Sequence, residues 1–153
     1  MHVMTKYLDT RAAAINALQD FALMEQAAAL PATAIEAEMR GDLASPSTSR
    51  ADGMPRTNNP TAGESRVCAT LDKIDMLHER KREAREYLDW FLPAWALLTD
   101  DERYLLETFF LTEGSREDAV TAVSERFYIE RSSAHDKKNR ALRKFATALY
   151  GKL

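Results

Sequence analysis

The chain has 153 residues, five glycines, five prolines, one cysteine and a formal net charge of −3, enough for one domain or a small domain with an elongated extension. The lone Cys68 excludes an internal disulfide and suits a reducing cytoplasm, and no apolar run approaches the roughly 18 residues of a membrane span. The opening MHVMTKYLDTRAAAINALQD carries acids early and lacks the apolar core of a secretory signal, so the expected location is cytoplasmic. With glycines only at apparent breaks and many alanines elsewhere, the composition favours helices.

In chain order, the first helix is expected from about Thr5 to Leu30, with Leu8, Ile15, Leu18, Ala22 and Ala29 recurring at helical spacing. Pro31 breaks it or opens a short continuation through ATAIEAEMR. Residues 41–65 are rich in Ser, Thr, Asn, Pro and Gly and read as a largely disordered loop. A second long helix is expected from about Glu64 to Leu92, with Val67, Leu71, Ile74, Leu77 or His78, Lys81, Ala84, Leu88 and Phe91 at heptad-like spacing. Pro93 is expected to kink or end it. The two long helices predict an antiparallel hairpin over residues 1–98, whose leftover apolar edge suits a homodimer.

Three shorter helices follow over 99–153. Thr99-Asp-Asp-Glu102 is a capping box: a hydroxyl for orphan amides, and a carboxylate three residues on to reciprocate. It opens a helix with Leu105, Leu106, Phe109 and Phe110 on one face, and Gly114 is placed to end it in a left-handed conformation. Ser115 with Asp118 repeats the cap and starts a helix carrying Ala119, Val120, Val123 and Phe127. The last helix, about Arg131 to Leu149, has an apolar stripe of Ala134, Ala141, Leu142, Phe145 and Leu149. Three helices joined by two tight turns, the last of them basic, make a helix-turn-helix pattern.

Charge is strongly segregated. From Arg126 to Leu153 there are eight Lys/Arg against two acids, while Thr99 to Glu125 holds two against eight. Such polarity suits a protein that touches a polyanion with one end. At the start of the last helix, Arg131, Ser132, Ser133, His135, Asp136 and Asn139 are candidates for reading base edges in the DNA major groove. Arg131 has the fork geometry for a bidentate guanine contact, and Ser132 or Asn139 can bond a base or phosphate. Lys137, Lys138, Arg140, Arg143 and Lys144 would add salt-dependent, sequence-independent affinity.

Residues 129–145, IERSSAHDKKNRALRKF, resemble without gaps the recognition-helix region of sigma-factor region 4, with Ile129, Arg131, Arg140, Ala141, Leu142, Arg143, Lys144 and Phe145 carrying the match. TAVSERF resembles the preceding helix, with Ser124 at its small close-packing position and Phe127 at its apolar end. In that pattern Glu130 stands where a Ser or Thr cap is usual. Lys137 stands at a core-facing position from which its stem can snorkel. The whole architecture, including a polar loop with Met54, Pro55 and Arg56, resembles phage regulators of the ArpU and RinA type. The resemblance implies an all-α protein: a helical hairpin plus a sigma region 4-like helix-turn-helix. It further implies a transcriptional regulator of phage late or structural genes in a bacterial host cell, with double-stranded DNA and host RNA polymerase as partners. A DNA-packaging adaptor like a small terminase subunit, or a polymerase-binding module, is the alternative.

Chemistry beyond binding has no foothold in the sequence. There is no phosphate-cradling Gly-Lys-Ser/Thr loop, and His2, His78 and His135 are too scattered to pair on a metal. Asp72 with Asp75, and Glu79 with Glu83, read as carboxylates on a solvated helix face. No enzyme, cofactor or metal is expected.

Overall fold

The computed structural model describes residues 9–44 and 61–151. They form six helices and no strand: α1 (Thr10–Ala29), α2 (Ala32–Ala44), α3 (Ala62–Ala96), α4 (Asp100–Phe110), α5 (Arg116–Phe127) and α6 (Arg131–Tyr150). Among these residues no helix is long and apolar enough to cross a membrane. The expected first turn from Thr5 to Leu8, most of the polar loop with Met54, Pro55 and Arg56, and the last two residues lie outside the described residues.

Two expectations need correction, and of the alternatives for Pro93 one is excluded. The loop is narrower than 41–65, because α2 continues to Ala44 and α3 already begins at Ala62. Helical Gly41 costs α2 roughly 1 kcal/mol against alanine, an amount that the rest of a 13-residue helix can offset. Pro93 does not end α3, which runs on to Ala96. A proline there removes one bond to the carbonyl four residues back, but Asp89 and Pro93 are both exposed, so water can take the freed carbonyl while Phe91, Ala94 and Leu98 stay buried. Gly114 is not in the left-handed helical region. It sits at φ 157°, three residues beyond the α4 C-cap Leu111, and the amides of Leu111 and Thr112 close that end onto the Glu107 carbonyl.

The chain divides into two compact units, one up to Glu25 together with Glu86 onward, the other Gln26–Arg85. The division drawn at residue 98 on sequence thus falls inside the first unit. The cause is visible in its core. Ala14, Ala17 and Leu18 of α1 and Phe91 and Ala94 of α3 join Leu105, Leu106, Val123, Leu142 and Phe145 in one hydrophobic cluster. Phe91 is at its centre, with ring centroids 4.8 Å from Phe21, 5.4 Å from Tyr87, 5.8 Å from Trp95 and 5.3 Å from Phe145. Polar groups at the margin are paired: the Tyr87 hydroxyl donates to the Ala17 carbonyl and Trp90 Nε1 to that of Leu149 at 3.2 Å. Arg103 reaches back from α4 to the last carbonyls of α3, Nε to Trp95 at 3.1 Å and a terminal nitrogen to Ala96 at 3.2 Å, which satisfies acceptors that a helix end leaves open.

The second unit holds α2 and most of α3. Lys81 bonds the Leu30 carbonyl at 2.6 Å, His78 meets Glu36 at 2.6 Å and Arg66 bonds the Asp42 carbonyl at 3.1 Å, so α2 and this part of α3 run in opposite directions. Ile74, Ala84 and Ala32 are buried there, whereas Val67 and Leu71 of the expected seam are exposed. On α1, Ala22 and Ala29 of the expected stripe are also exposed, and Ala14 and Ala17 take the buried positions.

Candidate nucleic-acid interface

The basic helix is α6, and two capping boxes and one strained turn place it. Thr99 opens α4: its amide donates to Glu102 Oε2 at 2.8 Å, and its Oγ1 accepts from the Glu102 amide at 3.3 Å. Ser115 opens α5 in the same way with Asp118, the hydrogen bonds from Ser115 holding the Asp118 carboxyl below its ordinary range. The three helices α4, α5 and α6 each pack against the other two. Glu102 also ties α4 to α6, because Lys144 Nζ lies 2.7 Å from its Oε2.

That carboxylate feels opposing influences. Burial would raise its pKa, but the Lys144 and Thr99 hydrogen bonds outweigh burial and hold it below the ordinary value of 4.5. A depressed folded-state value adds stability that is present above pH 4.5 and lost as pH falls through the folded pKa. The expected result is that Glu102→Gln is less stable than the parent at about pH 7 by roughly 1 kcal/mol, and that the difference closes towards about pH 3. Urea unfolding at the two pH values measures it.

Between α5 and α6, Tyr128 adopts φ 52° and ψ 47°, the left-handed region, and is 94% exposed. The amides of Tyr128 and Ile129 both bond the Ser124 carbonyl, the pattern in which glycine usually ends a helix. A tyrosine in this conformation costs about 1 kcal/mol, so Tyr128→Gly is expected to raise stability by roughly 0.5 kcal/mol once the larger unfolded-state entropy of glycine is set against it. Denaturant melts of the pair check this. Ser124 has a buried Oγ without a hydrogen-bond partner among the described residues.

The α6 helix buries Ala134, Lys138, Ala141, Leu142, Phe145, Ala146 and Leu149 on one face. Its N-cap is Glu130, whose side chain makes no capping bond. Of the residues expected to face a ligand, Arg131, Ser132, Asp136, Arg140, Arg143 and Lys144 are exposed, and Ser133, His135 and Asn139 are half-buried. Asp136 places one negative charge on this otherwise basic face.

Lys138 does not belong to that surface. It is 6% exposed, its Nζ lies 5.0 Å from the centre of the Phe109 ring and 3.5 Å from His135 Nδ1, and no carboxylate pairs with it among the described residues. Burial first, then the positive charges of Arg116 and Arg11, push its pKa down. The neighbour expected to point inward, Lys137, is exposed, with its Nζ 4.8 Å from the Phe127 ring. The signal was present in the sequence: Lys138 lies four residues after Ala134 and four before Leu142, on the apolar stripe itself.

Sequence reasoning also missed Arg11. Its guanidinium donates to Asn139 Oδ1 at 2.9 Å, across 128 residues of sequence. No family model matches this chain, and no curated protein or solved structure is significantly similar to it.

Proposed function

We propose that the chain is a DNA-binding transcriptional regulator of the sigma-like phage type, with α4, α5 and α6 as its helix-turn-helix and α6 in the major groove. The observation that carries this reading is the exposed surface of α6, where Arg131 and Ser132 stand at its first turn and Arg140 and Arg143 on its outward face farther along. Guanidinium forks suit guanine edges and phosphates alike, and a helix of 20 residues projecting one such face fits the dimensions of the major groove. The resemblance of residues 129–145 to a sigma recognition helix supports the same assignment. In this reading Asp136 weakens the electrostatic component, and binding is a compromise between four or five cations and one acid.

Fluorescence anisotropy with duplex DNA at about 50 and 200 mM salt tests the proposal, because each phosphate contact adds roughly 0.9 to the log–log salt slope. The expected result is binding that weakens steeply with salt. An Arg131→Ala, Arg140→Ala, Arg143→Ala variant is expected to lose roughly 30-fold or more in affinity at about 50 mM. Absence of binding to any duplex at the lower salt would overturn the proposal.

A further inference from the structure

The two long edges of α6 carry opposite charge compensation. On the α4 side, a cleft is lined by Asp101, Glu102, Lys137 and Arg140, and Lys144 is ion-paired to Glu102. The Lys144 ammonium there meets a carboxylate within the protein, and Lys137 and Arg140 share the cleft with Asp101. On the α1 side, a groove of about 470 Å³ is lined by Thr10, Arg11, Asn139, Arg143 and Thr147 together with small or apolar residues, and no carboxylate lines it. Among the described residues Arg143 has no ion pair, and Arg11 uses its guanidinium only on the Asn139 amide oxygen. A guanidinium has five N–H donors, so most of the donors of this pair are unused. The α1 end amides are not the unused donors, since Asp9 Oδ1 already accepts from Arg11 and Ala12 at 3.1 and 3.2 Å.

We propose that Arg11 and Arg143 together hold a backbone phosphate of the bound duplex in this groove, so that the nucleic-acid interface runs from α6 onto α1 rather than onto α4. The inference rests on the DNA-binding reading above and adds to it a residue that lies outside the helix-turn-helix. A phosphate fits because two planar forks lining one groove can give an oxyanion charge and direction together, and Thr10 offers a hydroxyl at the rim, while that of Thr147 already donates to the Arg143 carbonyl at 2.8 Å. Among the described residues no carboxylate lines this side of α6, and that of Asp9, next to Thr10, is engaged in capping α1. Asn139, whose oxygen is occupied by Arg11, is left with its amide N–H groups as donors, which suits an acceptor on a base or phosphate.

The test is anisotropy with the full chain and a labelled mixed-sequence duplex across about 50 to 200 mM salt, comparing the parent with Arg11→Gln and Arg11→Lys. The expected result for Arg11→Gln is binding weaker by roughly threefold to tenfold, with the log–log salt slope lower by about 1, and Arg11→Lys restores the slope. Arg11 is exposed, and unchanged thermal melts of both variants confirm that the fold is intact. If the parent binds DNA and Arg11→Gln keeps the parent's slope and affinity, the phosphate site is overturned while the regulator reading stands. A parent that binds no duplex overturns both.

Discussion

Phe91→Ala is expected to lower the free energy of unfolding by about 3–5 kcal/mol, a large share of the roughly 5–15 kcal/mol that holds a typical domain together. The side chain is 1% exposed, and four aromatic rings from α1, α3 and α6 surround it. Truncation removes the transfer free energy of a benzyl group, leaves a cavity that flat rings cannot collapse to fill, and forfeits ring–ring contacts worth about 0.5–1.5 kcal/mol each. Phe91→Leu keeps most of the volume and is expected to lose only about 1–2 kcal/mol. Urea melts followed by far-ultraviolet circular dichroism measure both. A loss below about 1 kcal/mol for the alanine variant would mean that the three elements do not share one core.

Lys138→Met carries the second large effect, and in the opposite direction: a gain of about 1–2 kcal/mol. The ammonium is taken out of water without a carboxylate in return, and a ring face with a neighbouring imidazole compensates only partly. Methionine keeps the length of the stem and drops the charge. The pH dependence has a definite sign. A lysine whose folded pKa lies below its ordinary value binds fewer protons when folded, so the penalty is full below the folded pKa and fades as pH rises towards 10.5. The advantage of the methionine variant is therefore expected to be largest at neutral pH and to shrink as pH rises through the folded pKa towards 10.5, in chemical melts at a series of pH values. DNA affinity is expected to change by less than about twofold, since a buried ammonium adds little to the salt-dependent contact.

Local chemistry was the most legible part of this fold. Both capping boxes, Thr99 with Glu102 and Ser115 with Asp118, form as their spacing predicts, because each bond is made within one turn and needs no distant partner. The apolar stripe of α6 was equally plain, since its large residues fall on one face. The alanine-rich α1 was poorly legible: alanine stands on every side of that helix, so periodicity cannot tell Ala14 and Ala17, which are buried, from Ala22 and Ala29, which are not. Residue type marks Lys138 as a surface cation, whereas its position on the stripe buries it. The Arg11 to Asn139 bond was invisible for another reason. Nothing local distinguishes Arg11 from any solvated arginine, and only the tertiary fold brings it to α6.

A core assembled from both extremes of the chain also sets a timetable for synthesis. Ala14, Ala17 and Leu18 leave the ribosome well over a hundred residues ahead of Phe145 and Leu149, with which they are buried. Until then the early helix must wait with its apolar face uncovered, a window in which chaperones or proteases have first access. For the same reason, a fragment cut at Thr99 to isolate α4, α5 and α6 would uncover the part of the core that α1 and α3 supply. Residues 86–98 and the α1 segment would have to be retained for it to stay soluble.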